Sequence, residues 1–385
     1  MTLGKRAGYG AMLLVVAALV GVGCGGDDDE STTTSAAAGS EETSTTQEMQ
    51  KVTLQLKWVT QAQFAGYYAA KEQGFYEKAG LDVELKVGGP DITPEQVVSS
   101  GQAEFGIDWL PALLAARDKG EDLVNISQVF ARSGMTEVTH KDSGITDVAG
   151  MRGKKVGVWC CGNENELYAA LVKNGMDPTK DVTIVNQPFD MTLFLSRDID
   201  AAAAMTYNEL AQVLEVENEK TGELYQLADL NVISMEDAGT AMLEDGVFVK
   251  GDWIADEANQ DTAKRFLKAS FEGWIYCRDN PDECLQIVLD NGTTLGEGHQ
   301  RWQLNEINAL TWPAAPGGIG VMDAEAYQRT ADIAEQFKVI AKPAEDASYR
   351  TDLAEAAVAE LKEEGADVDG GDYTKQEVEV TAGGK

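Results

Sequence analysis

From about residue 51 to residue 250 the chain alternates short apolar runs with longer amphipathic stretches. Short apolar or β-branched runs predict strands, and apolar residues repeated at the helical period predict helices. Strands that alternate with helices are typical of a mostly parallel sheet with helices on both faces. The predicted strands are 52–57, 81–87, 104–108, 123–130, 156–159, 182–186, 199–204 and 246–249.

Helical spacing separates these strands and dominates the chain after Trp253. The body that begins near residue 51 exceeds the usual size of a single hydrophobic core, so two lobes with a cleft between them are expected. We predict an α/β fold with one sheet in each lobe. The first lobe comprises 51–137 and 249–364, the second lobe comprises 138–248, and 365–385 form a flexible acidic tail.

The amino terminus has the pattern of a signal sequence. Lys5 and Arg6 precede an apolar run over 11–22, which is short for a membrane span. Small residues lead into Cys24, which resembles a lipidation site, although Gly21 stands where leucine is usual. A secreted protein with an incidental cysteine is the alternative. The predicted segments are a lipoprotein-type signal peptide over 1–23, with Cys24 lipidated, and a disordered tether over 24–50.

Charge narrows the range of partners. The formal net charge is −34 at pH 7. A surface this acidic argues against nucleic acid and anionic lipid as partners. A saline habitat would also favour such a composition, and the sequence leaves that alternative open.

The cysteines suggest one disulfide and one unusual pair. Cys277 and Cys284 flank a turn between two helical stretches, and we expect them to form a disulfide. Cys160 and Cys161 are adjacent. They could be free thiols, form a vicinal disulfide or bind a metal, and the sequence leaves these alternatives open. Metal is the least favoured of these, because the chain has two histidines and no CxxC pair. We expect no metal and no cofactor.

Aromatic and polar residues gather where predicted strands end and helices begin. In open α/β sheets this is the edge at which ligands bind. Four such corners occur, two in each predicted lobe, so they can face one another across the cleft. The candidate ligand-binding residues are Trp58, Gln61, Phe64, Tyr67, Asp108, Trp109, Trp159, Asn163, Glu164, Tyr207 and Glu209.

Rings in these corners can stack on a flat ligand, and amides and carboxylates can bind its edges. Each residue also has a structural alternative. Asp108, Glu164 and Glu209 could stabilise helix starts, and Trp58 and Trp159 could belong to the core. The corners contain no cluster of Lys or Arg and the chain has no GxxxxGK[ST] loop, so a phosphate-rich ligand is disfavoured.

Several segments resemble the NMT1/THI5-like family. They are KWVTQAQFAGYYAAKEQGFYEKAGLDVEL, SGITDVAGMRGKKVGVW, the Gly-Asn-Glu of CCGNENELYAAL, and AMTYNEL, and the resemblance covers about 51–341. It implies the periplasmic-binding-protein type 2 fold and, for ABC importer members, binding of thiamine-pyrimidine precursors or riboflavin. It also implies that the candidate residues other than Trp159 line the cleft. Cys160-Cys161 departs from the family, in which small non-cysteine residues usually follow the Trp.

These features together predict a monomeric, non-enzymatic binding protein. It would be lipid-anchored outside the cytoplasm, close its lobes on a small planar heterocycle and deliver it to an ABC permease. A binder of sulfonate- or nitrate-type anions on the same fold is one alternative. A pyrimidine-precursor synthase is another, disfavoured by the signal sequence and by the two histidines, of which His140 is expected in an exposed polar segment.

Overall fold

Two five-stranded sheets organise the computed structural model, which describes residues 49–160 and 162–385. The predicted signal peptide, Cys24, most of the predicted tether and Cys161 lie outside the described residues. The strands are Gln50–Gln55 (β1), Leu81–Lys86 (β2), Phe105–Trp109 (β3), Leu123–Gln128 (β4), Met135–His140 (β5), Lys155–Val158 (β6), Thr183–Asn186 (β7), Ala201–Met205 (β8), Glu217–Asn218 (β9), Glu223–Leu224 (β10), Leu230–Ser234 (β11) and Asp245–Lys250 (β12).

Helices cover the sheets and make up most of the chain after β12. The helices are Ala65–Glu72 (α1), Phe75–Lys78 (α2), Pro94–Ser99 (α3), Leu110–Asp118 (α4), Asn165–Lys173 (α5), Thr192–Leu195 (α6), Glu209–Leu214 (α7), Met235–Ala238 (α8), Gly251–Ile254 (α9), Glu257–Asp279 (α10), Pro281–Asn291 (α11), Glu297–Thr311 (α12), Ala324–Gln336 (α13) and Asp352–Glu363 (α14).

Each sheet has four strands in one direction and one strand in the opposite direction. The first sheet has the order β2-β1-β3-β12-β4, with β12 antiparallel to both of its neighbours. The second has the order β11-β5-β8-β6-β7, with β5 antiparallel to both of its neighbours. The chain passes to the second sheet between β4 and β5 and returns between β11 and β12. The reversed strand in each sheet is therefore the one that follows a crossover.

The central strands are buried along their whole length because both faces are covered. Every residue of β3 (FGIDW) and of β8 (AAAAM) is buried. Outside the first sheet, α10 packs closely on α1. A Cβ atom on Gly273 would lie 2.0 Å from the carbonyl oxygen of Gly66, and a Cβ on Gly66 would lie 2.2 Å from the ring of Trp274. Glycine at both positions thus lets the two helix backbones approach.

The predicted pattern misses two strands of the second sheet, β5 and β11. His140, expected in an exposed segment, is the last residue of β5 and is 4 % exposed. Its ring stacks on Phe194 at 4.2 Å between centroids, and Nε2 lies 3.1 Å from the Phe194 carbonyl oxygen. The expectation was wrong because β5 carries polar side chains that are satisfied inside, as when Thr139 donates to the carbonyl of Ile145 at 2.7 Å.

The acidic tail over 365–385 lies against α12 and differs from the flexible segment that its composition predicts. The Tyr373 hydroxyl donates to the carbonyl of Asn305 at 3.3 Å, and Lys375 pairs with Glu306. Buried Val368 and the half-buried Tyr373 provide apolar anchors among the acidic residues. The average composition of the segment is polar and acidic, so it does not reveal that a few apolar residues anchor the segment.

Two further sequence features can be placed. Cys277 and Cys284 form a disulfide that links α10 to α11. Among residues 49–160 and 162–385, no helix is both long and apolar enough to cross a membrane.

Candidate functional site

A solvent-open pocket lies where corners of the two sheets meet, and its empty space, open solvent included, is about 390 Å³. The corners after β1 and β3 form one side, and those after β6 and β8 form the other. The lining residues are Lys57, Trp58, Gln61, Gln63, Trp109, Trp159, Asn163, Met205, Tyr207, Asn208 and Glu209.

The corner after β1 presents an amide that is held by a buried relay. Gln61 Nε2 donates to Gln63 Oε1 at 2.7 Å, and Gln63 Nε2 donates to Asp245 Oδ2 at 2.8 Å. Trp109 Nε1 donates to the other oxygen of Asp245 at 3.0 Å. Burial raises the pKa of Asp245 to about 7, although the charge of Lys57 opposes the rise. These contacts orient Gln61, Gln63 and the Trp109 ring before any ligand enters.

Lys57 brings an ammonium group to the cavity, and its charge is already compensated. It pairs with Asp108, and its Nζ lies 4.8 Å from the centre of the Trp109 ring. Burial lowers the pKa of Lys57, but the attraction of Asp108 and Asp245 more than offsets this, so the net shift is upward. Asp108 also accepts from the Trp109 backbone N–H at 2.7 Å. Its carboxylate therefore serves Lys57 and the start of α4 rather than the cavity.

Two aromatic rings meet at the mouth of the cavity. Trp58 comes from the first sheet and Phe189 from the loop after β7, and their ring centroids are 4.9 Å apart in an edge-to-face arrangement. Phe189 is 46 % exposed and Trp58 is half-buried. This pair is a direct contact between the two sides of the cleft.

The corner after β6 is held mainly by backbone contacts. Trp159 Nε1 donates to the carbonyl of Pro188 at 3.2 Å, and Asn163 Nδ2 donates to the carbonyl of Cys160 at 2.9 Å. Glu164 accepts from the Gly162 N–H at 2.9 Å, so this carboxylate closes its own turn. Cys160 is disulfide-bonded.

The corner after β8 places a buried carboxylate at the cavity. Glu209 Oε2 accepts from the Met205 N–H at 3.0 Å, and its Oε1 accepts from Asn208 Nδ2 at 2.7 Å. Burial raises the pKa of Glu209 to about 7, while these hydrogen bonds and the nearby His299 limit the rise. Burial also raises the pKa of Tyr207 well above its usual value, so its hydroxyl keeps its proton.

The first two turns of α12 contact corners on both sides of the cavity. Gln300 Oε1 accepts from the Ala62 N–H at 2.7 Å on the first side. His299 Nε2 lies 2.9 Å from Asn208 Oδ1, and Trp302 Nε1 donates to the carbonyl of Thr206 at 2.9 Å on the second side. None of these three α12 residues stood out in the sequence, because they belong to a helical stretch far along the chain from the corners that they contact.

The structure brings seven of the predicted site residues to the cavity wall: Trp58, Gln61, Trp109, Trp159, Asn163, Tyr207 and Glu209. The other four, Phe64, Tyr67, Asp108 and Glu164, do not line it. Phe64 is fully buried, and Tyr67 packs edge-to-face on Trp274 with ring centroids 5.6 Å apart, so both belong to the core beneath α1. Sequence reasoning missed Lys57, Gln63, Met205 and Asn208, each of which neighbours a predicted corner residue.

Comparison with known proteins places this geometry in context. The family model described as "NMT1/THI5 like" matches residues 61–284. The riboflavin-binding protein RibY of Chloroflexus aurantiacus is 24 % identical over 77 % of this chain and 83 % of its own length. A formylaminopyrimidine-binding protein of Halalkalibacterium halodurans is 22 % identical, with 64 % and 72 % covered. A 4-amino-5-hydroxymethyl-2-methylpyrimidine phosphate synthase of Aspergillus parasiticus is 21 % identical, also with 64 % and 72 % covered.

Solved structures share the fold. The periplasmic aliphatic sulphonate binding protein SsuA of Escherichia coli superposes with a TM-score of 0.57 and is 16 % identical, covering 77 % of this chain and 90 % of its own. At this identity the likeness establishes the architecture alone. The predicted two-lobed periplasmic-binding-protein fold is thereby confirmed, with mostly parallel sheets flanked by helices.

Proposed function

The chain belongs to the NMT1/THI5-like family, and we propose that it is an extracytoplasmic solute-binding protein that closes its two lobes on a small planar heterocycle. The ligand then passes to the permease of an ABC importer. The protein acts as a monomer and is held at the membrane by a lipid on Cys24. Relatives whose names specify a riboflavin or formylaminopyrimidine ligand support this class of ligand.

One observation carries the ligand assignment: indole rings and a buried carboxylate from different sheets converge on one cavity. Trp58 and Trp109 come from the first sheet, and Trp159, Tyr207 and Glu209 come from the second. Indole faces stack on planar rings, and a carboxylate accepts hydrogen bonds from amino groups and ring N–H groups. A ligand that contacts both sides stabilises the closed form, because only closure allows all the contacts together.

The electrostatics of the wall disfavour an anionic ligand. Lys57 is a cation at the cavity, but Asp108 already neutralises it, and Glu209 adds a carboxylate on the opposite side. A sulfonate would have to displace Asp108 from Lys57 and lie near Glu209 without a compensating charge, which is costly in a buried site. The likeness to SsuA therefore does not extend to its ligand.

The same residues disfavour the synthase alternative. Histidine and cysteine are absent from the described residues that line the cavity. Lys57 could serve as a nucleophilic amine only without its proton, and its raised pKa keeps it protonated. We propose that the chain is not an enzyme.

A binding screen on the purified mature protein tests this function. Thermal shift followed by titration calorimetry would compare aminopyrimidines, flavins and alkanesulfonates, beside mass spectrometry of any small molecule that co-purifies. We expect stabilisation by a heterocycle, and stabilisation by sulfonates alone would overturn the proposal.

Variants of the cavity wall test its placement. Trp58→Ala and Glu209→Ala should each weaken binding at least tenfold, about 1.4 kcal/mol, without unfolding the protein. Glu236→Ala, on the exposed surface of α8, is the control and should bind as the wild type does. Unchanged affinity in both cavity variants would contradict the assignment.

A further inference from the structure

A continuous hydrogen-bonded chain connects the cavity carboxylate to α12. Glu209 Oε1 accepts from Asn208 Nδ2 at 2.7 Å, and Asn208 Oδ1 lies 2.9 Å from His299 Nε2. His299 Nδ1 lies 2.7 Å from Glu215 Oε1, at the carboxyl end of α7. His299 and Glu215 are largely buried, with side chains 15 % and 10 % exposed. Two glutamates and one histidine are therefore joined through a single amide.

The amide orientation fixes the proton positions along this chain. The amide of Asn208 can donate only through Nδ2, which faces Glu209, so its oxygen accepts from His299. Gln212 Nε2 also approaches this oxygen, at 3.5 Å, which agrees with its role as an acceptor. Both partners of the His299 ring, Asn208 Oδ1 and Glu215 Oε1, are then acceptors. Both ring nitrogens of His299 thus face oxygen acceptors, which is the arrangement that suits a doubly protonated ring.

Rotating the Asn208 amide by a half turn would change Glu209 from a hydrogen-bond acceptor into a donor. The amide oxygen would then face Glu209, and two oxygens so close require a proton between them. Glu209 would be a neutral acid that donates, and His299 would accept from Asn208 with its bare Nε2. The proton on His299 and the charge on Glu209 are therefore linked through one amide.

We propose that His299 is a positioning residue that, through Asn208, holds Glu209 as a charged acceptor and so makes the cavity select ligands with an N–H donor over ligands with a carbonyl at that place. This inference rests on the proposed function and specifies its ligand class further. Amino-substituted heterocycles meet the requirement, whereas their oxo counterparts bring an oxygen toward the carboxylate. A hydrogen bond to a charged group discriminates strongly between such partners.

The surroundings of His299 support a positioning role. The carboxyl-terminal segment packs over the ring: the Gly383 N–H donates to the Glu215 carbonyl at 2.9 Å, and a Cβ on Gly384 would lie 2.8 Å from the Cβ of His299. Gln300, next along α12, holds the opposite corner through Ala62. The ring is thus fixed relative to both sides of the cavity, although it does not line the cavity itself.

Glu209 is placed where its neighbours can decide its charge. Its pKa is raised to about 7 by burial, and the charge of His299 counteracts the rise. Other ionisable groups near this hydrogen-bonded chain include Glu215 beside His299 and Tyr207 in the same corner, and Tyr207 keeps its proton. His299 therefore supplies the positive charge that favours ionised Glu209.

A matched pair of amide variants tests the proposal. The side-chain nitrogen of His299→Gln reaches about as far as Nε2 and can still donate to Asn208, whereas that of His299→Asn takes the place of Nδ1 and keeps only the contact with Glu215. The probes are 4-amino-2-methylpyrimidine and its 4-oxo counterpart. We expect the wild type to prefer the amino compound by about tenfold or more. His299→Gln, which keeps the donor but not the charge, should retain part of that preference, and His299→Asn should lose or reverse it.

A merely structural role for His299 predicts a different result. Both amide variants would then bind the two probes with an unchanged ratio, or both would lose affinity for each probe equally, and either result would overturn the proposal. Thermal unfolding of each variant shows whether it is folded before binding is compared.

A readout without ligand separates this inference from the proposed function. The described residues include two histidines, His140 and His299, so nitrogen-15 NMR of the ring nitrogens can be assigned with a single variant. We expect both ring nitrogens of His299 to carry protons in the unliganded protein near neutral pH. A single-proton tautomer would overturn the inference even if a heterocycle binds. If the wild type binds neither pyrimidine but the ring is doubly protonated, the pyrimidine assignment fails and the His299–Asn208–Glu209 relay stands.

Discussion

Single buried side chains set the electrostatic character of the cavity. Lys57 brings a positive charge and Asp108 cancels it, while Glu209 keeps a carboxylate at the wall with backbone and amide donors around it. The burial that makes Glu209 a strong acceptor for a ligand also raises its pKa to about 7. Recognition through this residue must therefore depend on pH near neutrality.

Affinity for an N–H donor ligand should fall on acidification. Glu209 is ionised above pH 7 and protonated below it, and the protonated form is no longer a charged acceptor. We expect the affinity to drop about tenfold between pH 8 and pH 6, measured by titration calorimetry. Glu209→Gln should bind weakly and lack this step. Because both proteins meet the same ligand, any titration of the ligand itself cancels, and an equal pH profile in the two would contradict the prediction.

The sequence predicted cavity residues well where side-chain type and corner position agreed. Trp58 and Glu209 lie in loops or at helix starts that the strand pattern already located. Tyr67 has the same chemistry but points into the core, since it is on the face of α1 that meets α10. Which face a ring occupies depends on the packing partner, and that partner lies about two hundred residues away. The roles of His299 and Asp245 depend on such distant contacts and could not be read from local pattern.

At the scale of elements, the strands with clear apolar runs were predicted and the reversed strand β5 was missed. β5 reads Met-Thr-Glu-Val-Thr-His, yet every residue in it is buried. Three of its polar side chains, Thr136, Thr139 and His140, have partners that only the folded protein provides. Glu137 is buried, and neither of its oxygens has a hydrogen-bond partner among the described residues. Burial raises the pKa of Glu137 well above its usual value, which favours its neutral form. A sequence pattern counts Glu137 as a charged residue and therefore as exposed, so it does not reveal that this strand position is buried.

The two crossovers between the sheets are pinned by further buried acids. Glu244 Oε1 accepts from the Ser133 hydroxyl at 2.8 Å and from the Gly134 N–H at 2.6 Å. Glu166 Oε2 lies 3.2 Å from the same hydroxyl oxygen, and Glu166 Oε1 accepts from the Met242 N–H. Burial raises the pKa of Glu166 to about 8, and burial together with Glu166 raises that of Glu244 well above its usual value. Burial thus favours the protonated forms of the two acids that hold the connection between the lobes.

These acids should make the protein less stable as pH rises. In the unfolded chain a glutamate ionises near pH 4.3, whereas folded Glu166 keeps its proton up to about 8. The stabilisation is therefore fully present below about pH 4.3 and is lost as pH rises toward 8. Glu244→Gln mimics the protonated acid, and its oxygen can still accept from Ser133 and Gly134. We expect it to raise the unfolding free energy by at least about 1.4 kcal/mol more at pH 8 than at pH 5.

Thermal and urea unfolding at the two pH values check this expectation. Asp237→Asn, an exposed acid in the same connection, is the matched control and should change stability little at either pH. The prediction is wrong if Glu244→Gln destabilises the protein equally at pH 5 and pH 8, since that would assign Glu244 a hydrogen-bonding role without a proton.

At the scale of the whole molecule, the proposed closure would bring together sheets that belong to one strongly acidic chain. The net charge of −34 disfavours compact arrangements through self-repulsion. Contacts across the cleft must offset this self-repulsion. They include the Trp58–Phe189 ring pair and the hydrogen bond from Trp302 to the Thr206 carbonyl. Phe189 is the useful probe, because it contacts Trp58 at the mouth and does not line the cavity.

Phe189→Ala should shorten the lifetime of the closed complex without altering the ligand's own contacts. An edge-to-face aromatic pair contributes about 0.5–1.5 kcal/mol, so we expect dissociation to accelerate roughly two- to tenfold, with little change in the association rate. Stopped-flow tryptophan fluorescence measures both rates. Small-angle scattering should show that the wild type becomes more compact with ligand and that the variant does so less completely at equal ligand concentration.

Leu227→Ala, an exposed apolar residue of the second lobe that is remote from the mouth, should behave as the wild type does. If Phe189→Ala releases ligand at the wild-type rate, the aromatic pair does not hold the cleft closed, and the relay through α12 and the ligand itself must supply the stabilisation.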